Sequence, residues 1–439
     1  MRNSASQVAA RLAQGAPHGR FAYDSVTGSA TLEIAVTELV VRNGLTTEVW
    51  HNTQSAADEP AAYLFKVILG PKYSLDDFEP TLRLLSQRFT GELWSHGSFD
   101  ADMTFDRMRL HVVKDRSRLG IFNYLRFARA VWRRARELRS GRPPQRVVVT
   151  SFDPFKGGLL ALRVARLLGG RFVCEVNGAV GDPANFADVK SAVWTRIRLL
   201  QMRMLGSFVL RRADAVRLLF DDQLSNFVTL PPRTVVRRFW CLTFPDRFHE
   251  GPEEPFILSA GYPFKRKGVD ILARAFLSIA TEFPGWKLVL IGHLVPQQLQ
   301  ACGMQHAQIT ALPGMPQKRL VNWMSRCSIF ALASRSEGTP RVLIEAAAAR
   351  KCRISTRICG IPLIIAHGKD GILVENEDVD GLAAGLRTLM QDERLRQRLA
   401  SEGQLRISRE FSGTAYLAHF EELIAATLQA SGNSIAADR

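Results

Sequence analysis

No apolar run in this chain reaches the roughly 18 residues that a membrane-crossing helix needs, so no transmembrane span is predicted. Cysteine is scarce and unpatterned. The six, at positions 174, 241, 302, 327, 352 and 359, form no C-x-x-C pair and no zinc-like spacing. That excludes a disulfide-stapled scaffold and predicts no metal site; it fits buried thiols in a reducing, cytoplasmic setting. No secretory signal is read at the start. Acid is also short: 42 Asp and Glu face 58 Lys and Arg, a net charge of +16. The shortage is sharpest from Arg107 to Arg146, where thirteen Lys and Arg meet only Asp115 and Glu137. Such an excess points to an anionic partner, or to a solvated basic face. Nucleic acid is not predicted, because no aromatic-basic reader motif accompanies the charge.

What is present is a globular chain of 439 residues, 46% hydrophobic and 23% charged, long enough for two domains with sizeable cores. One stretch organises it, Ile329 to Ile365. A short apolar strand (329–333) runs into the polar loop SRSEG, and a helix follows. Thr339 is placed to cap that helix, with Pro340 at its first position. From Val342 to Ala349 the helix is apolar almost all round, which predicts burial, and Glu345 interrupts it. Glu337 lies eight residues earlier, in the loop. Between the two acids, the amides of Arg341, Val342 and Leu343 start a helix and have no partner within it, an arrangement that suits phosphate. Two carboxylates flanking an anion-binding turn outline a pocket for a sugar joined to a phosphate.

The segment EGTPRVLIE resembles the Glu-x7-Glu motif of the family-4 retaining glycosyltransferases, and ICGIPLIIAHGKDGILV resembles the segment that follows it in that family. The likeness covers residues 256–411 well and the N-terminal half weakly. It implies an α/β chain of GT-B type, with two Rossmann-like domains facing a central cleft. GYPFKRKGVDILARAF resembles the family's Lys-Gly segment, which implies that Lys267 steadies the departing diphosphate. Tyr262 stands where the family has Arg, leaving Lys265 or Arg266 to replace that charge. A cation at a helix start sits badly with the helix dipole, which favours a functional Lys267. By the same resemblance Glu337 holds sugar hydroxyls, Glu345 the ribose, and Gly338, Thr339, Pro340, Arg341, Val342 and Leu343 the phosphates. The backbone around Gly314 and Met315 would read the base. Leu363 replaces a family Glu, and Arg350 and Cys352 sit in RKCRI, where the family has a different segment.

In the N-terminal half, a short strand (21–23), a helix (30–42) and a strand (47–51) are predicted, with Gly28 as the remnant of a Gly-rich acceptor loop. Residues 52–118 have little readable pattern. Asp100 and Asp102 make an Asp-x-Asp, a pattern that holds a metal in a different transferase fold, but with no matching strand context. Leu119 to Arg139 reads as a basic amphipathic helix with Ile121, Tyr124, Leu125, Ala128, Val131, Trp132 and Leu138 on its apolar stripe. Its arginines suit either a solvated face or contact with an anionic membrane. Strand, helix and strand then follow from Val147 to Val176, a βαβ rhythm that implies a parallel sheet with its loops at a cleft. In the family that segment ends in a His at the catalytic centre; Asn177 stands there and would orient rather than move protons. Asp153, in the loop SFDPF, is placed on the acceptor side. His293 is read as structural.

The expected layout is a disordered leader (1–20), an N-terminal acceptor domain (21–230), a Pro-rich linker (231–255), a C-terminal nucleotide-sugar domain (256–411), a helix returning to the first domain (412–430) and a tail (431–439). The implied function is transfer of a sugar from a nucleotide diphosphate sugar to a glycan or lipid-linked acceptor. Configuration would be retained without metal or cofactor, in surface polysaccharide or glycolipid assembly at the inner face of a membrane. Two other readings use the same fold. One is a degenerate homologue that binds a nucleotide sugar or anionic lipid; the other is a sugar-nucleotide epimerase or phosphorylase.

Overall fold

The computed structural model describes residues 19–24, 29–34, 61–69, 75–141, 144–187 and 191–430. The chain divides into two units, Met1–Asp58 and Glu59–Arg439. In the first, β1 (Gly19–Asp24) pairs antiparallel with β2 (Ser29–Ile34). The helix predicted from residue 30 is therefore a strand in its described part. In SATLEI the apolar residues alternate with Thr31 and Glu33, a two-residue period that pairing with β1 satisfies. Gly28, residues 1–18 of the leader, the strand at 47–51 and the tail lie outside the described residues.

The second unit holds two parallel sheets. The first is built from β3 (Tyr63–Ile68), α1 (Leu75–Ser86), β4 (Thr90–Gly97), β5 (Ala101–Phe105), β6 (Met108–Lys114), α2 (Gly120–Ser140), β7 (Val147–Ser151), α3 (Lys156–Leu168), β8 (Arg171–Glu175), α4 (Ala192–Leu210), β9 (Ala215–Leu218) and β10 (Val235–Arg238). Its order is β10-β9-β8-β7-β3-β4-β6-β5, parallel except for the edge hairpin β5–β6. The sheet thus begins at β3, well after the first strand read from the sequence. β10 lies inside the predicted linker, yet it pairs with β9 and extends this sheet. Helices α2, α3 and α4 bury Val131, Leu162 and Val209 on one face. In α2 the buried stripe is Phe127, Val131 and Ala135, while Ile121 and Leu125, expected inside, are exposed.

The second sheet comprises β11 (Glu254–Ala260), α5 (Val269–Leu277), β12 (Lys287–Ile291), α6 (Val295–Ala301), β13 (Ile309–Leu312), α7 (Gln317–Arg326), β14 (Cys327–Leu332), α8 (Arg341–Ala348), β15 (Cys352–Thr356), α9 (Ile361–Ile364), β16 (Ile372–Val374), α10 (Val379–Gln391) and α11 (Glu393–Glu410). It is fully parallel, in the order β13-β12-β11-β14-β15-β16. Counted within the domain this is the 3-2-1-4-5-6 order of a dinucleotide fold, and the order reverses between β11 and β14. The N-terminal sheet reverses in the same way between β3 and β7. In such sheets ligands bind beyond the carboxyl ends of the strands at that reversal. The two reversals are where the loops 261–268, 333–340 and 152–155 emerge.

The last helix, α12 (Gly413–Gln429), returns to the N-terminal sheet. The Ser412 hydroxyl caps it by accepting the Ala415 amide at 3.1 Å. Tyr416 and Phe420 pack edge-on against Phe239 and Phe89.

The segment RKCRI has a structural reason. Arg350 takes a left-handed φ of 54° at the end of α8, and its guanidinium grips Glu250 at 3.0 Å and the Ser401 hydroxyl at 3.0 Å. Lys351 is buried and reaches the Gly251 carbonyl at 3.4 Å. Arg353, fully buried, donates to the Asp370 carbonyl at 2.9 Å, with its carboxylate 3.4 Å away. Together these cations fasten the chain entering the domain, and the loop before β16, to the body of the sheet.

Candidate functional site

β14 is buried along its whole length and delivers Ser334, Arg335, Ser336 and Glu337 to the reversal point. Glu337 is 6% exposed. It accepts from the Ser334 hydroxyl at 2.8 Å and from Lys267 Nζ at 2.5 Å, so the two residues given the central roles form an ion pair. The loop carrying Lys267 fits because Gly268, at φ +60°, has no Cβ; one there would lie 1.7 Å from the Ala333 carbonyl oxygen.

Arg335 had no role in the sequence reading, though it lies inside SRSEG. It holds Asp270 at 2.8 and 3.1 Å and Glu377 at 2.5 and 3.1 Å, while its amide donates to the Arg266 carbonyl at 2.8 Å. Burial would raise the Asp270 pKa, but Arg335 and Lys265 outweigh it and hold the carboxyl below its usual range. Lys265 Nζ lies 2.9 Å from Asp270, so its charge serves this network. Arg266 donates to the Tyr262 carbonyl at 3.0 Å.

The start of α8 corrects two expectations. Pro340, at φ −68° and ψ 111°, is itself the capping residue rather than the first helical one, and no side chain caps the helix. The Thr339 hydroxyl instead meets the Cys241 amide at 3.5 Å. The Leu343 amide bonds the Pro340 carbonyl at 3.0 Å, which takes it out of the partnerless first-turn donors expected from the sequence. Glu345 is 6% exposed, and Gln317 Nε2 lies 3.5 Å from it. Gly314 comes against the Gly292–His293 turn, and the His293 ring packs edge-on to Tyr262 with centroids 5.3 Å apart. Met315, partly buried, packs on the core behind it. The loops after β11, β12, β13 and β14 thus converge on one end of the sheet.

The opposite wall comes from the N-terminal sheet. Asn177 follows β8, donating to the Phe152 carbonyl at 3.0 Å and accepting from Arg217. Cys241 Sγ lies 3.2 Å from the same Asn177 oxygen. Its acceptor is thus engaged inward. Behind it is a cluster the sequence reading missed. Glu175 sits between Lys66, on β3, and Arg217, on β9, 3.1 Å away, and the Tyr416 hydroxyl of α12 lies 3.5 Å off. All three charged side chains are buried to within 2% exposure. Burial pulls the Lys66 pKa down against the push of Glu175, and raises the Tyr416 hydroxyl well above its usual range.

The walls touch where Gly338 faces Gly178. A Cβ on Gly338 would lie 2.4 Å from Leu219 Cδ1 and 3.2 Å from the Gly178 backbone. Nearby, Ser336 Oγ is 3.4 Å from Asn185 Oδ1. Asp153 sits at the reversal point of the N-terminal sheet. Its Oδ1 accepts the Phe155 amide at 2.7 Å, and its Oδ2 is enclosed. Burial pushes its pKa up to about 6, against the amides of Phe155, Gly157 and Gly158. Asp100 and Asp102 are far along the chain on the edge hairpin. Asp102 is paired with Arg109 at 2.7 Å, and Asp100 accepts the Lys114 amide at 2.8 Å. Among the described residues no three His, Cys, Asp or Glu are gathered to hold a metal ion.

Two facing Rossmann-like domains with their carboxyl ends at a shared cleft define the GT-B class of glycosyltransferase folds. Residues 244–406 match the family model for glycosyl transferases group 1. An uncharacterized glycosyltransferase of Methanocaldococcus jannaschii is 30% identical over 168 residues, 38% of this chain and 46% of the relative. The capsular polysaccharide biosynthesis glycosyltransferase CapM of Staphylococcus aureus is 25% identical over 175 residues, 38% of this chain and 45% of CapM. The chain therefore spans less than half the length of these two relatives. The solved Anabaena HepE, in complex with UDP-glucose, superposes with a TM-score of 0.60 at 15% identity, over 83% of this chain and 99% of HepE. That likeness concerns the fold.

Proposed function

We propose that this chain transfers a sugar from a nucleotide diphosphate sugar to a glycan or lipid-linked acceptor, with retention and without metal or cofactor. The observation that carries the reading is the pairing of Lys267 with Glu337 at the reversal point, beside the start of α8 and the buried Glu345. The ion pair is a resting arrangement. When the diphosphate arrives, the Lys267 ammonium and the first amides of α8 meet its negative charge, and Glu337 turns to the sugar hydroxyls. Glu345 takes the ribose hydroxyls. As the bond to the anomeric carbon breaks, charge grows on the leaving phosphate oxygen, where Lys267 already points. That oxygen takes the acceptor's proton on the same face, so the chain needs no dedicated base. The contact of Gly338 with Gly178 and Leu219 shuts the donor away from water. The polysaccharide role in CapM's name and the UDP-glucose bound by HepE support this setting and this donor class. A lipid-linked acceptor would be met at the inner face of a membrane.

The inward engagement of the Asn177 oxygen favours one other reading, a subunit that binds the nucleotide sugar without turning it over. A thermal-shift panel of UDP, GDP, ADP and their common sugars tests the site. A ligand at about 100 times its Kd adds about 2.7 kcal/mol of stability. We expect one nucleotide family to stabilise the wild type and to lose that effect in Glu345→Ala. Glu337→Gln should abolish transfer with the fold intact. Nucleotide binding without turnover in the wild type would select the binding subunit, and no shift with any nucleotide would refute both.

A further inference from the structure

Helix α4 is apolar on two opposite sides. Inward, Gly206, Val209 and Leu210 are buried, with Gly206 against Phe227 and Phe155. Outward, Val193, Ile197, Leu200, Met204 and Phe208 recur at steps of three and four, which puts them on one stripe. That stripe faces solvent: Val193 is 66% exposed, Leu200 61% and Met204 68%, with Trp194 at its edge, 63% exposed. A contiguous exposed stripe of this size marks a surface that something covers.

The charges around it say what. From Ser191 to Arg212 there is no acid and there are five arginines, 196, 198, 203, 211 and 212. Among the described residues none of the five pairs with a carboxylate, though Arg212 also lies 3.8 Å over the Phe208 ring. On the same face of the sheet, Leu119 before α2 and Ile121, Phe122 and Leu125 in its first turns are exposed. Beside them an open groove of about 1180 Å³ is lined by Arg126, Arg129, Arg133 and Arg136, of which Arg126 lies 3.7 Å from Asp100 and Arg133 4.0 Å from Glu137. Apolar side chains flanked by the α4 arginines, which pair with no carboxylate among the described residues, match a bilayer surface, with acyl chains below and anionic headgroups around. No helix among the described residues is long and apolar enough to cross the membrane, so the contact is one of lying on it.

We propose that the outer stripe of α4, with the first turns of α2 on the same face of the sheet, docks this chain on an anionic lipid bilayer. The inference stands on the surface alone and holds whether or not the chain transfers sugar. The test is co-sedimentation of the full chain with phosphatidylcholine vesicles, with and without phosphatidylglycerol, at about 0.05 M and about 0.5 M salt. Two variants accompany it: Leu200→Gln with Met204→Gln, and Arg196→Gln with Arg198→Gln and Arg203→Gln. All five positions are exposed, so an unchanged urea midpoint checks that each variant is folded. Partitioning is expected only with anionic vesicles at low salt. It should fall about a hundredfold in the arginine variant, at about fivefold per cation, and at least tenfold in the apolar one. Trp194 emission should shift to the blue on binding, a change that Trp194→Phe removes. Wild type left in the supernatant at low salt would overturn the proposal, and so would variants that bind like wild type. A dimer in solution that Leu200→Gln with Met204→Gln splits, without any vesicle binding, would assign the stripe to a second copy instead.

Discussion

Replacing Glu175 by Gln removes the one carboxylate between two buried cations. In the folded chain Glu175 touches Lys66 and Arg217, and none of the three is more than 2% exposed. Breaking a buried pair by deleting one partner costs about 3–5 kcal/mol, because the remaining charge has lost its compensation. Here two charges are stranded, but only Lys66 can escape by losing its proton. Burial already pulls its pKa down, and without Glu175 nothing comparable pushes back. In the variant Lys66 is therefore neutral when folded and charged when unfolded, at any pH between its lowered folded pKa and its ordinary value. The unfolded state then binds one more proton, so stability should rise with pH through that window by about 1.4 kcal/mol per unit. Urea unfolding across pH 6 to 9 reads both effects. We expect a lower midpoint with an unchanged denaturant slope, and a rise with pH that wild type does not show as steeply. Adding Lys66→Met should remove the pH dependence and recover part of the loss, because it deletes the stranded amine. A cost below about 1 kcal/mol, or a variant with the pH dependence of wild type, would refute the account of this cluster as a coupled buried network.

Three further outcomes follow from the geometry. Gly338→Ala puts a methyl group 2.4 Å from Leu219 Cδ1 and tight against Gly178, and overpacking of this kind costs about 1–3 kcal/mol. It should weaken nucleotide stabilisation, and Leu219→Ala in the same chain should restore it; a double variant no better than the single would place the obstruction elsewhere. Asp153, raised from 3.8 to about 6, keeps its proton when folded at pH values where the unfolded chain has lost it, so its contribution to stability falls as pH rises between those values. Asn keeps the bond from the Phe155 amide without the charge, so Asp153→Asn should gain about 1–3 kcal/mol near pH 7 and nothing near pH 4, and an unchanged melting profile would refute it. Arg335→Lys cannot span Asp270 and Glu377 with a planar fork, so it should lose about 2–3 kcal/mol and much of the nucleotide-induced shift, despite keeping its charge; full retention of that shift would show that Arg335 does not position the Glu337 loop.

The C-terminal domain was the more legible half, for physical reasons. Its strands read as apolar runs, because a parallel sheet is covered on both faces, and β11, β12 and β14 carry little else. Glu345 stood out because a charge on such a background is conspicuous, whereas Glu337 was read from its spacing in the polar loop and Lys267 from the resemblance of its segment; the structure brings Glu337 and Lys267 into contact. The networks were not legible. Arg335 sits one residue from a buried Ser in a polar loop, and nothing in SRSEG shows that its partners are Asp270 and Glu377. Thr339 was misread because Ser or Thr before a Pro looks like a cap, whereas its hydroxyl is drawn toward Cys241 across the cleft.

The N-terminal sheet shows the opposite case. Its strands carry charged or titratable side chains in their interiors: Lys66 in β3, Glu92 in β4, His111 in β6, Glu175 in β8 and Arg217 in β9, each buried. Glu92 takes Arg134 at 2.6 Å and the Trp94 indole at 3.0 Å, with His111 3.6 Å away. Pairings such as Glu92 with Arg134 join residues far apart in sequence, so each strand alone reads as a broken pattern, and residues 52–118 looked featureless although they contain four strands. Charges buried in a sheet are costly unless paired, so each one also specifies which strand must lie beside it. The Glu175 group ties β3, β8, β9 and α12 together and ends on Asn177, at the cleft. The helix α12 is therefore bonded into the same network that fixes the wall facing Glu337. A loss of α12 packing should then be felt at Asn177 before it is felt in the C-terminal domain.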